Sequence, residues 1–120
     1  MQDIKTWLAG IGETIDAKDA KKFSEYITEN GEFRFGNAES VFGRKPIEDY
    51  VAAFFGMIGS SAHEVLNFWE NKEGIVWEGR VTYTRLDGKV VPVNFTNIFY
   101  MKGDLVERYL IFIDNTPLFA

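Results

Sequence analysis

The sequence predicts an α+β fold in which helices cover one face of a curved antiparallel sheet. Two observations carry this. In the first half, apolar residues recur every three or four positions, the period of a helix face. In the second half, runs rich in Val, Ile, Thr, Tyr, Phe and Trp are separated by short turn signals. Helices followed by a strand meander place the helices together on one side of the sheet. A chain of 120 residues suits one domain, here 1–120.

The elements follow in order. Ile4, Trp7, Leu8, Ile11 and Ile15 lie on one helix face, with Asp3 as N-cap. Gly10 and Gly12 weaken that helix by about 1 kcal/mol each relative to Ala. Asp19 can cap a second, short helix burying Phe23, Tyr26 and Ile27, with Asn30-Gly31 as its stop. Glu32 to Phe35 and Ser40 to Phe42 read as short strands around a turn at Gly36-Asn37. Pro46 suits the first turn of a third helix, whose face is Ile47, Tyr50, Val51, Phe54, Phe55 and Ile58 and whose end is Gly59. Four strands complete the chain: Ala62 to Glu70, Ile75 to Arg85, Val90 to Met101 and Leu105 to Asp114.

Composition excludes several functions. Without cysteine there is no disulfide framework, Cys-ligated zinc or thiol nucleophile. One histidine excludes a two-His metal motif, and neither a metal nor a cofactor is expected. A net charge of −5 argues against nucleic acid as partner. No apolar run has the length of a membrane span, and the first residues lack a signal-peptide layout, so no membrane partner and a cytoplasmic location are expected. The nineteen aromatics, eleven of them Phe, are many for so small a core.

Asp87-Gly88 reads as a two-residue hairpin turn. That register pairs Thr82 with Val93, Arg80 with Phe95 and Glu78 with Asn97, and paired residues share a face. One face then holds Glu78, Arg80, Thr82, Val91, Val93, Phe95, Asn97 and Phe99. Longer-range extension adds Tyr109, Ile111 and Ile113, then His63, Val65, Asn67 and Trp69. His63, Asn67, Glu78, Arg80, Asn97 and Tyr109 would converge on an apolar floor, the layout of a small-molecule site. The opposite face would hold Trp77, Val81, Tyr83, Ile98, Tyr100, Leu110 and Phe112. Such an apolar surface predicts a sheet-to-sheet homodimer.

These elements in this order resemble the nuclear transport factor 2-like superfamily, in its SnoaL-like branch. The carriers are Ile15-Asp16 through Phe23, V-F-G-R-K-P-I-E-D-Y from Val41 to Tyr50 and V-T-Y-T-R-L-D-G from Val81 to Gly88. N-I-F-Y at Asn97 to Tyr100 and R-Y-L-I-F-I-D at Arg108 to Asp114 complete them. The resemblance implies a cone-shaped α+β barrel, N-terminal helices on the concave face, an enclosed pocket and a homodimer. Ketosteroid isomerases and limonene epoxide hydrolases are relatives. The hydrolase Arg-x-Asp pair falls on Glu78 and Arg80 with signs reversed, and its last-strand Asp falls on Ile111. The isomerase's oxyanion Asp falls near Phe95 or Thr96. The resemblance therefore implies neither machinery, and leaves the acid/base pair of the polyketide-cyclase branch to His63 or Glu78.

The candidate catalytic residues are His63, Glu78 and Arg80. An unperturbed imidazole titrates near neutrality, so His63 can serve as a general base, or be an ordinary strand-end histidine. Glu78 can take a proton alpha to a carbonyl, with Arg80 or Asn97 stabilising the enolate. The alternative is a solvent-facing ion pair worth at most about 1 kcal/mol, with Trp77, Val81 and Tyr83 buried instead. Tyr26 and Tyr109 are hydroxyl donors to a ligand or core tyrosines, and Asn67 and Asn97 are polar contacts. Phe54, Phe95 and Ile111 form the apolar wall. Two classes of function remain. One is acid/base chemistry of isomerase or cyclase type on a small apolar carbonyl compound. The other is a non-catalytic module that binds a small apolar ligand or only dimerises.

Overall fold

The first helix begins where the N-cap residue places it. The computed structural model describes residues 3–120. Asp3 accepts the backbone N–H of Thr6 at 3.1 Å and its hydroxyl at 2.6 Å. Helix α1 then runs over Ile4–Asp16 and buries Trp7, Leu8 and Ile11. Helix α2 is Ala20–Ser24, capped by Asp19. It ends well before Asn30-Gly31, because Tyr26 and Ile27 already serve the sheet. The Tyr26 carbonyl accepts the N–H of Val106, and strand β1 spans Ile27–Phe35. Asn30-Gly31 falls in the register shift between Ile27 and Glu32 within that strand. Strand β2 is Val41–Phe42. Helix α3 is Arg44–Phe55, and Ile58 opens the next strand instead of closing the helix. Strands β3 (Ile58–Asn71), β4 (Gly74–Arg85), β5 (Val90–Lys102) and β6 (Leu105–Ile113) form the meander, followed by a short α4 at Thr116–Phe119.

The six strands form one curved sheet in the order β2-β1-β6-β5-β4-β3. β1 and β6 run parallel and the other pairs antiparallel. The sheet does not close into a barrel, since β2 and β3 remain its edges. The core lies between the helices and the inner sheet face. Trp7, Leu8 and Ile11 of α1 and Phe23 of α2 meet Phe33, Trp77, Phe99 and Tyr109 of the sheet. Among the described residues no helix is long and apolar enough to cross a membrane.

The β4–β5 register differs by one residue from the expected one. Trp77 pairs with Asn97, Gly79 with Phe95, Val81 with Val93 and Tyr83 with Val91. The turn holds three residues, Leu86, Asp87 and Gly88. The Arg85 N–H donates to Lys89 O at 2.8 Å, and Gly88 takes φ +89° in the left-handed region. This odd count turns β4 over relative to β5. Trp77, Val81 and Tyr83 are buried on the inner face, while Glu78 and Arg80 are exposed on the outer face. A bulge in β3 makes a second correction. Val65 pairs with Gly79 and Asn67 with Glu78, which leaves Leu66 unpaired. Beyond it the faces swap, so Asn67 and Trp69 point outward. The outer face is thereby less apolar than expected. It keeps Ile98, Tyr100, Leu110 and Phe112 but gains Glu78 and Arg80.

Candidate functional site

Helix α1 lies close to β3 because Gly12 has no side chain where the two meet. A Cβ at Gly12 would stand 3.3 Å from His63 Cβ and 3.6 Å from the Trp77 ring. The same approach carries Asp16, the last residue of α1, to His63. Asp16 Oδ1 is 2.5 Å from His63 Nδ1 and accepts the Ser61 hydroxyl at 2.8 Å. Asp16 Oδ2 accepts the His63 backbone N–H at 2.9 Å. A carboxylate at a helix C-terminus opposes the helix dipole. Here three hydrogen bonds hold it there.

Burial pushes the Asp16 carboxyl pKa up, but the hydrogen bonds from His63 and Ser61 outweigh it, and the net shift is downward. Asp16 is therefore an ionised acceptor, so Nδ1 of His63 carries the proton and donates it. In the neutral ring the lone pair is then on Nε2, and no hydrogen bond engages Nε2 among the described residues. The imidazole lines an internal cavity, with its ring 5.7 Å from Phe95 and 6.0 Å from Trp77.

That cavity measures about 50 Å³. Its wall is mainly apolar and includes Phe33, Phe54, Phe95 and Ile111. Two polar groups of the same wall lack partners among the described residues: Asn97 Oδ1 and the Tyr109 hydroxyl are buried without a hydrogen bond there. Leaving such a group unpaired costs about 1–3 kcal/mol, so both call for a water or a ligand atom. Burial raises the Tyr109 hydroxyl pKa and pushes that of Tyr83 up to about 12. Both phenols are neutral at physiological pH and can donate. The volume admits a few waters or the polar end of a small molecule.

The expected residues separate into two groups. His63, Phe54, Phe95, Asn97, Tyr109 and Ile111 all line the cavity. Glu78 and Arg80 do not: they sit across the sheet, where Arg80 Nε donates to Asn94 Oδ1 at 3.3 Å. Asn67 is exposed, and its Oδ1 accepts the backbone N–H of Phe68. Tyr26 is half-buried against Trp7, with ring centroids 6.1 Å apart, and is not part of the cavity wall. Asp114 accepts the N–H and hydroxyl of Thr116, a structural role at the strand end. Sequence reasoning missed Asp16, Ser61 and Tyr83. The legible signal for Asp16 was its charge, misplaced at the end of an amphipathic helix.

An open curved sheet, helices over its concave face and a cavity between them define the nuclear transport factor 2-like class of fold. Within that class, the SnoaL-like domain profile matches residues 9–109, and the chain belongs to the SnoaL-like domain family. No curated protein matches the sequence. Solved structures similar to it are distant in sequence. One is a hypothetical protein with a ketosteroid isomerase-like fold from Catenulispora acidiphila, in complex with trimethylamine. It has TM-score 0.81 and 9% identity over 88% of this chain and 82% of that one. A putative SnoaL-like polyketide cyclase from Jannaschia sp. CCS1 has TM-score 0.74 and 16% identity, over 89% and 84%. The epoxide hydrolase/cyclase-like enzyme SalBIII, of pyran ring formation in the polyether salinomycin, has TM-score 0.80 and 16% identity, over 97% and 96%. At these identities the likeness is one of fold.

Proposed function

We propose that this protein is an acid/base catalyst of isomerase or cyclase type, acting on a small apolar carbonyl compound with His63 as the base. One observation carries the reading: Asp16 holds Nδ1 of His63, whose ring lines an apolar cavity that also contains two polar groups without partners among the described residues. Nε2 takes a proton from the carbon next to the carbonyl. The C–H electron pair moves into a new C=C bond, and the carbonyl π electrons move onto oxygen. The Tyr109 hydroxyl donates to that oxygen, and Asn97 Oδ1 accepts a hydrogen bond from the substrate or from a bridging water. Asp16 balances the imidazolium and keeps its orientation. The imidazolium then returns the proton to another carbon, or to oxygen.

The test is α-proton exchange of 2-tetralone in D₂O, followed by NMR. The wild type is expected to accelerate exchange, and His63→Ala to reduce that acceleration about 100-fold or more. Unchanged exchange in His63→Ala removes the catalytic reading in favour of a non-catalytic binding module.

The reading extends to a homodimer through the outer sheet face. Its support is Phe112, 46% exposed beside Ile98, Tyr100 and Leu110. Sedimentation is expected to give a dimer that Phe112→Asp converts to a monomer. A wild-type monomer at micromolar concentration excludes this assembly.

A further inference from the structure

The inner cavity is small for a ligand site, which ordinarily measures about 300–1,000 Å³. It has a neighbour. An outer chamber of about 670 Å³ lies at the end of the sheet, between the last turn of α3 and the segment that follows β6. Three side chains line both spaces: Phe35 at the end of β1, Phe54 in the last turn of α3 and Ile113 at the end of β6. All three are half-buried. The Phe35 and Phe54 rings meet edge to face at 4.8 Å, and Phe54 also abuts Tyr83 at 6.0 Å. Phe35, Phe54 and Ile113 are thus shared walls of the two spaces, with the Phe35 and Phe54 rings in contact between them.

We infer that the two spaces are one divided ligand site, and that Phe54, with Phe35 and Ile113, sets the size of what reaches His63. This rests on the acid/base reading of the inner cavity and specifies the ligand. The head is a small polar group that fits beside His63, Asn97 and Tyr109. The body is larger and apolar, and occupies the outer chamber against Phe35, Phe54, Met57 and Ile113. The ligand is not an anion. Among the described residues no Lys or Arg lines either space, and Asp114, in the wall of the outer chamber, opposes an anion. Phe54 suits a movable partition, because it lies one residue from the end of α3, in a turn that is followed by Gly56.

Three probes of fixed chemistry test this: 4-phenylphenol, its anionic counterpart 4-phenylbenzoate, and 2-naphthol, whose head is wider. NMR of the His63 Cε1–H reports the inner space, and the Met57 methyl reports the outer one. In the wild type, 4-phenylphenol is expected to shift both signals with one dissociation constant, at least tenfold tighter than 4-phenylbenzoate. Phe54→Ala is expected to strengthen 2-naphthol binding at His63 about tenfold. Ile113→Ala is expected to act in the same direction, less strongly, and covers the case in which Phe54→Ala does not fold. The inference is overturned if 4-phenylphenol moves Met57 alone, if the anion binds equally well, or if both folded variants leave 2-naphthol binding unchanged. None of these readouts involves turnover, so their failure is distinct from a failure of His63-dependent exchange.

Discussion

Asp16 with His63, and Glu78 with Arg80, are charged or titratable groups on opposite sides of one sheet. On the inner side, Asp16 receives three hydrogen bonds and His63 is nine-tenths buried. On the outer side, Glu78 and Arg80 are exposed, and the guanidinium reaches across to Asn94. The outer pair is exposed to solvent screening, and the hydrogen bond of Arg80 to Asn94 holds it on the outer face, away from the cavity. The inner pair has its tautomer and its direction set by its surroundings. Chemistry at this sheet therefore depends on which face a side chain occupies. Residue type alone marked His63, Glu78 and Arg80 alike as candidates and left Asp16 out.

The largest expected effect sharpens this contrast: His63→Ala abolishes most catalysed exchange, as above, while Glu78→Gln leaves it unchanged. Comparable losses in both variants would erase the distinction between the faces. Next comes Asp16→Asn. It is expected to lower exchange by about tenfold or more through loss of imidazole orientation, and to cost about 1–3 kcal/mol of stability in urea unfolding. The pH dependence follows from the same residue. The folded-state pKa of Asp16 lies below its ordinary value of 3.8. Its contribution to stability is therefore full above the ordinary carboxylate range and is lost as pH falls through the folded value. Asp16→Asn should flatten the acid limb of a plot of stability against pH. A smaller effect probes the turn that sets the faces. Gly88→Ala places a side chain at φ +89° and should cost about 1 kcal/mol. Glu78→Gln and Arg80→Ala close the series, each within about 0.5 kcal/mol of wild type by thermal unfolding.

Two hairpins show why part of the site was legible and part was not. At β5–β6, Lys102 pairs with Leu105 across a two-residue turn, and a bulge between Tyr100 and Met101 then shifts the register. Turn and bulge together return Tyr109 and Ile111 to the inner face, where the sequence pattern had put them. At β4–β5, the three-residue turn has no compensating bulge, so Glu78 and Arg80 face out and Trp77, Val81 and Tyr83 face in. Asn97 was legible because it sits between Phe95 and Phe99 in a strand that had to bury that face. Asp16 was not, because its partner lies 47 residues away on β3 and meets it only through the close approach at Gly12.

The sequence by itself determined the α+β class, the order of helices before strands, the N-cap at Asp3 and the inner face of β5. These depend on local periods and on turn residues, which act over a few positions. The tertiary structure alone decided the parallel β1–β6 pairing, the open sheet, the outward turn of Glu78 and Arg80, and the meeting of Asp16 with His63. Each of these depends on adding one residue in a turn or bulge, or on packing between distant segments. A period of two makes every such single-residue shift exchange the two faces of a strand.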